Sequence, residues 1–260
     1  MNKNVIIENN NKMERVKFDI WRIFSYFIIY SFIGFLIETI YALFTKGMIE
    51  SRQSFVFGPF CAVYGIAGTA MIILLKNYKN NNIVLYFGGV FIGILIEYLT
   101  SFIGEQLLHV KWWDYSNAFL NLNGRVCFYY AIIWGFLSFL LIKHFNPIID
   151  NFIDYNIKNI TLKKYRIIIF LIITFMVGDC ILTGYALDKF IYRISNNYDI
   201  DIFGINMNNK NKENYIDKYF SNEKMIMLFP NISVLDENKN IVYIGSIMKD
   251  VKNYYYKFEY

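Results

Sequence analysis

Apolar residues run along this chain in long blocks separated by short polar breaks, without the strict alternation of half-buried strands. Five blocks reach or approach the roughly 20 residues that a helix needs to cross a hydrocarbon core: 23–44, 59–75, 83–103, 126–142 and 167–191. The second and fourth, about 17 residues each, lie at the lower limit for a spanning helix. The pattern predicts an all-α integral membrane protein with about five transmembrane helices. It divides the chain into an N-terminal segment 1–22, a membrane domain 23–191 and a polar tail 192–260. In the break 143–166, Asn146 can cap a helix, Pro147 suits its first position, and Ile148, Ile149, Phe152, Ile153 and Ile157 follow at helical spacing. That predicts an amphipathic surface helix, either lying bare at the interface or docking a partner. In the tail, residues 232–235 and 241–244 flank Asp-Glu-Asn-Lys-Asn and predict a β-hairpin within a small appendage.

Composition supports a bilayer as the solvent. The 260 residues are 56% hydrophobic and only 18% charged, against about 25% charged in soluble domains. A net charge of +5 is too small for a nucleic-acid footprint, and three cysteines do not make a disulfide scaffold. The first apolar block follows some twenty polar residues with no small-residue cleavage site, so it reads as a retained anchor. Basic residues set the orientation. Lys3, Lys12, Arg15, Lys17, Arg22, Lys76, Lys79, Lys143, Lys158, Lys163, Lys164 and Arg166 fall on one side, and Lys46, Arg52, Lys111, Arg125, Lys189 and Arg193 on the other. This places the N-terminus in the cytoplasm and, after five crossings, the C-terminal tail outside a bacterial inner membrane.

An internal repeat is visible. Phe-Ile-Gly-Phe-Leu-Ile-Glu, ending at Glu38, recurs as Phe-Ile-Gly-Ile-Leu-Ile-Glu, ending at Glu97, with six of seven positions identical. Gly58-Pro59-Phe60-Cys61 opens the second block and Gly124-Arg125-Val126-Cys127 the fourth. Blocks one and two thus read as one unit and three and four as its parallel copy, a device transporters use. Gly34 and Gly93 each precede a glutamate by four residues, so each pair shares a helix face. Small residues let a neighbouring helix approach, which directs Glu38 and Glu97 into the bundle.

Ionisable groups in apolar spans cost about 2.5–3.5 kcal/mol each on insertion scales for Asp, Lys or Arg, so each needs a partner or a purpose. Glu38, Glu97, Glu105 and Asp179 are such groups. In one reading Arg52 and Arg125 neutralise Glu38, Glu97 or Glu105 and pin the repeats together. In the other the carboxylates line a cavity for a cation or a cationic substrate group. Trp112-Trp113-Asp114-Tyr115-Ser116 is the densest polar–aromatic cluster, either a headgroup-level belt or, with Asn121, Asn123, Gly124 and Arg125, a loop folded onto the helix ends. The chain has no Gly-x-x-x-x-Gly-Lys phosphate loop and no His-Glu-x-x-His. No catalytic residue, metal site or cofactor is expected.

The ordering resembles the bacterial type IV, or CmpB-like, ABC-transporter permease family. The residues that carry the likeness are Tyr30-Ser31-Phe32-Ile33-Gly34 with Glu38 and Tyr41, Arg52, Gly58-Pro59, Cys61 and Tyr64-Gly65. They continue with Glu97-Tyr98, Glu105, Trp113-Asp114-Tyr115-Ser116, Asn121-Leu122-Asn123-Gly124-Arg125, Trp134-Gly135 and Pro147, and in the tail with Asp217, Tyr219, Met225 and Phe229-Pro230-Asn231. Ala62, Ser51 and Gln53 depart from the family pattern. The resemblance implies a multi-pass permease of unknown substrate; with no phosphate loop of its own it would work with a separate cytoplasmic ATPase subunit, and with only five spans as a homo-oligomer or beside a second permease. An ATP-independent carrier and a membrane scaffold or sensor are the alternatives.

Overall fold

The computed structural model describes residues 19–203, 218–248 and 256–257; most of the predicted segment 1–22, and Asp217 in the tail, lie outside the described residues. Six helices build the body: α1 (Ile20–Lys46), α2 (Ala62–Leu75), α3 (Asn82–Leu108), α4 (Phe128–Leu140), α5 (Asn146–Ile160) and α6 (Leu162–Tyr198). Four helical stretches are long and apolar enough to cross a membrane: Ile20–Lys46, Asn82–Leu108, Phe128–Ile160 and Leu162–Tyr198. The fifth predicted span is the shorter apolar helix Ala62–Tyr78, which is α2 with one 3-10 turn. The chain is therefore an all-α integral membrane protein.

Local chemistry sets the helix ends. α1 stops at Gly47, whose left-handed φ of 66° lets its N–H reach the Leu43 carbonyl. The Asn81 side chain accepts from the Val84 N–H and so caps α3. α4 does not end in a loop: a π-helical turn, Leu141–Phe145, carries it straight into α5. Asn146 consequently sits inside a continuous helix and caps nothing. Its buried side chain instead donates to Asp150 (3.0 Å) and accepts from the Tyr30 hydroxyl (3.4 Å).

The helices run back and forth between two ends, called near (the start of α1) and far. At the near end Asp150 accepts from Arg22 (3.1 Å) and Lys76 (2.6 Å) as well as from Tyr26, tying α1, the end of α2 and α5 together. The core of this half contains Tyr26, Ile72, Leu85, Ile153 and Ile169. At the far end the last turns of α6 (Phe190, Ile191, Ile194) form a second core with Val56, Val110 and the tail residues Met225, Ile232 and Val234. The tail contributes α7 (Asn222–Leu228), the antiparallel strands β2 (Ser233–Leu235) and β3 (Ile241–Tyr243), and the short α8 (Ile244–Ile247). Lys111 and Ser233 bridge the tail to the loop after α3. A small sheet also joins β1 (Met48–Ile49) to β4 (Tyr256–Lys257).

Candidate functional site

The repeat seen in sequence is a repeat of packing. Gly34 of α1 lies against Tyr64 of α2, and Gly93 of α3 lies against Trp134 of α4. Tyr30 meets Gly68 where Gly89 meets Ser138, and Phe27 meets Gly65 where Tyr86 meets Gly135. All three pairs superpose when α1 positions are advanced by 59 and α2 positions by 70. The loops follow a different register. Cys61 and Cys127 are the residues before α2 and α4 respectively, and they are 66 apart. Helix α4 therefore carries one extra turn at its start, so matching the loops misaligns the packed residues by four positions, a full helical turn.

Tyr64 and Trp134 occupy equivalent positions, and they touch each other with ring centroids 5.4 Å apart. Each holds the glutamate of its own unit. The Tyr64 hydroxyl donates to Glu38 Oε1 at 2.6 Å, and Trp134 Nε1 donates to Glu97 Oε2 at 3.1 Å. The Tyr115 hydroxyl, from the loop after α3, donates to Glu97 Oε1 at 3.1 Å. Burial, reinforced by the charge of Glu97, pushes the Tyr115 phenol well above its usual range, so it stays a neutral donor. Tyr115 stacks on Tyr130 of α4 at 4.7 Å. The contact between the Tyr64 and Trp134 rings therefore joins the two glutamate sites into one cluster. Neither glutamate has a basic partner among the described residues, and Glu97 is only 6% exposed. The result is two carboxylates in an aromatic cage that supplies hydrogen bonds without positive charge.

The other predicted residues form four separate supports. Arg125 pairs with Glu105 at 2.8 Å, lies over the rings of Tyr98 and Phe102, and accepts Trp113 Nε1 on its backbone carbonyl at 2.8 Å. Arg52 pairs at 3.1 Å with Glu50, a residue the sequence reading did not single out, which also binds Lys46. The arginines thus neutralise Glu105 and Glu50 and leave Glu38 and Glu97 to the cage. Asp114 accepts from Ser116 Oγ (2.6 Å) and Lys111 (3.3 Å), while Asn121 Oδ1 accepts the Gly124 N–H at 3.1 Å. Together with the Tyr115 N–H on the Gly124 carbonyl, these bonds fold the loop over the far end instead of spreading it as a belt. Asp179, buried in α6, accepts the Phe57 N–H through both oxygens (3.3 and 3.2 Å), and Thr183 Oγ accepts the Val56 N–H at 3.0 Å. Asp179 thereby anchors the loop that leads into α2.

Tyr64 and Trp134 stand out in the sequence only through the family resemblance, and Tyr130 not at all. Aromatics in apolar helices look like core, and only the 70-residue packing offset marks Tyr64 and Trp134 as equivalents. No group of three or more His, Cys, Asp or Glu side chains among the described residues could hold a metal ion.

Residues 25–184 match the family described as "Putative ABC-transporter type IV", which spans the helical body through most of α6. No curated protein matches the chain, and no solved structure does.

Proposed function

Because the chain belongs to the type IV ABC-transporter family, we propose that it is a membrane permease subunit of an ABC-type transport system, coupled to a separate cytoplasmic ATPase. The observation that carries this reading is the Glu38–Glu97 pair, built from equivalent positions of two helix pairs and left without a basic counter-charge. Ionisable groups kept inside a membrane domain mark substrate or ion pathways. Two carboxylates flanked by aromatic faces suit a cation or the cationic group of a substrate. Tyr64, Trp134 and Tyr115 then hold the acids in place. Glu105–Arg125, Glu50–Arg52, Asp179 and the loop containing Trp113, Asp114 and Asn121 keep the far end rigid around them.

The excess of basic residues at the near end supports a cytoplasmic N-terminus and an external tail. Four long spans and one shorter apolar helix among the described residues are few to enclose a pathway, which supports a homo-oligomer or a pair with a second permease. Extraction in mild detergent should recover an ATPase carrying a phosphate-binding loop, whose turnover changes severalfold in Glu97→Gln. Recovery of this chain alone, with no associated ATP hydrolysis, contradicts the proposal. The uncompensated acids also favour a second reading, an ATP-independent cation carrier. Liposomes containing only this chain would then show proton or sodium flux that Glu97→Gln abolishes, whereas zero or equal flux sinks the carrier.

A further inference from the structure

We propose that the groove between the starts of α1 and α6 binds an anionic phospholipid of the near-end leaflet. Trp21, Leu162, Lys163, Arg166, Ile167 and Phe170 line this open groove of about 530 Å³. Its lining divides by chemistry along α6. Lys163 and Arg166 belong to the first two turns, while Ile167 and Phe170 lie deeper in the bilayer direction and are exposed apolar side chains. Trp21 faces them from α1, with the Arg166 guanidinium 6.0 Å from its ring centre, and is steadied by an edge contact with Phe24 at 6.3 Å. Behind the groove α1 and α6 are joined by the Ser25–Tyr165 hydrogen bond and by buried Ile169, so the floor is closed.

An amphiphile matches this division: a phosphate at Lys163 and Arg166, a glycerol backbone at the level of Trp21, and an acyl chain along Ile167 and Phe170. The field at the top is positive for a further reason. Thr161 gives no side-chain cap to α6, and no acid occupies its first turn, so the amide end of the helix adds to Lys163 and Arg166. Asp19 opposes this, 3.7 Å from Arg166, but both side chains are nearly half exposed (49% and 44%). Such a pair is weak and leaves Arg166 available to a phosphate. A free anion would account for the basic residues but not for the apolar floor; a phospholipid accounts for both. The inference rests on membrane residence alone and not on the permease reading.

The test is native mass spectrometry of the full chain in detergent, titrated with phosphatidylglycerol or phosphatidylcholine. Wild type should retain phosphatidylglycerol preferentially. The double variant Lys163→Gln, Arg166→Gln should weaken that binding about thirty-fold, from two lost headgroup contacts. The control pair Lys79→Gln, Lys158→Gln, also exposed near-end cations but outside the groove, should stay within about two-fold of wild type. Phe170→Asp, which keeps both cations, should weaken retention of either lipid. Equal losses in the two double variants, or no preference in wild type, overturn the proposal. So does inorganic phosphate competing as well as the lipid.

Discussion

An alanine at position 93 would put its Cβ 2.5 Å from the Trp134 Cβ, about 1 Å inside the ~3.5–4.0 Å optimum for carbon–carbon contact. Trp134 is buried, so α3 and α4 must separate to relieve the clash. Overpacking of this kind costs about 1–3 kcal/mol. Separation by about 1 Å would also stretch the 3.1 Å bond from Trp134 Nε1 to Glu97 beyond hydrogen-bonding length, a further loss of about 1.5–3 kcal/mol for a bond to a charged group. The better helix propensity of alanine returns about 1 kcal/mol. Gly93→Ala should therefore destabilise by roughly 1.5–5 kcal/mol. Gly34→Ala, whose Cβ would sit 2.5 Å from Tyr64 Cγ, should behave the same way. Gly178→Ala is the control, because nothing lies within 4 Å of its Cβ; it should be neutral or stabilising by up to about 1 kcal/mol. Unfolding in mild detergent by added dodecyl sulfate, followed by tryptophan fluorescence, reads all three. If Gly93→Ala and Gly178→Ala shift the midpoint alike, the close approach of α3 and α4 is not what holds the site.

Asp179→Leu should release the loop before α2 and cost about 1–3 kcal/mol for the amides left unsatisfied; hydrogen exchange at residues 54–60 should rise, while Asp179→Asn keeps much of the protection. Arg125→Ala strands Glu105 and should cost about 3–5 kcal/mol, and the double variant with Glu105→Gln should recover part of that in a thermal-unfolding cycle. Glu223, in the first turn of α7, is held below the usual carboxylate range by a backbone N–H and then by Ser221 and Arg193. Its folded value is the lower one, so its contribution is complete above the unfolded value of about 4.3 and fades as pH falls through the folded value. Protease resistance of the tail should thus drop in acid in wild type, and Glu223→Gln should flatten that dependence.

The helical class and the hairpin at 233–243 were legible because block length and turn chemistry are local signals. That Glu38 and Glu97 each turn toward a neighbouring helix was legible too, since a glycine four residues before an acid implies a close neighbour on that face. The identity of the neighbour was not. Tyr64 and Trp134 differ in type, and the loop residues that align the two units, Cys61 and Cys127, are one helical turn out of step with the packing. Arg52 shows a second limit. Its partner Glu50 lies two residues away in a polar stretch, where charge is too common to stand out. Asn146 shows a third: a residue with capping chemistry was absorbed into a continuous helix because a π-turn replaced the break that its sequence suggested.

Carbodiimide labelling bears most directly on the claim that the two helix pairs bring Glu38 and Glu97 to one membrane-buried site. The reagent enters the bilayer and modifies carboxyl groups in apolar surroundings, leaving a bulky adduct. Peptide mass spectrometry should find a single adduct per chain, on Glu97 or on Glu38, with modification of either blocking the other, and Glu97→Gln should move the label to Glu38. Two adducts on one chain, accumulating independently, would contradict the shared site, as would no reaction at either glutamate.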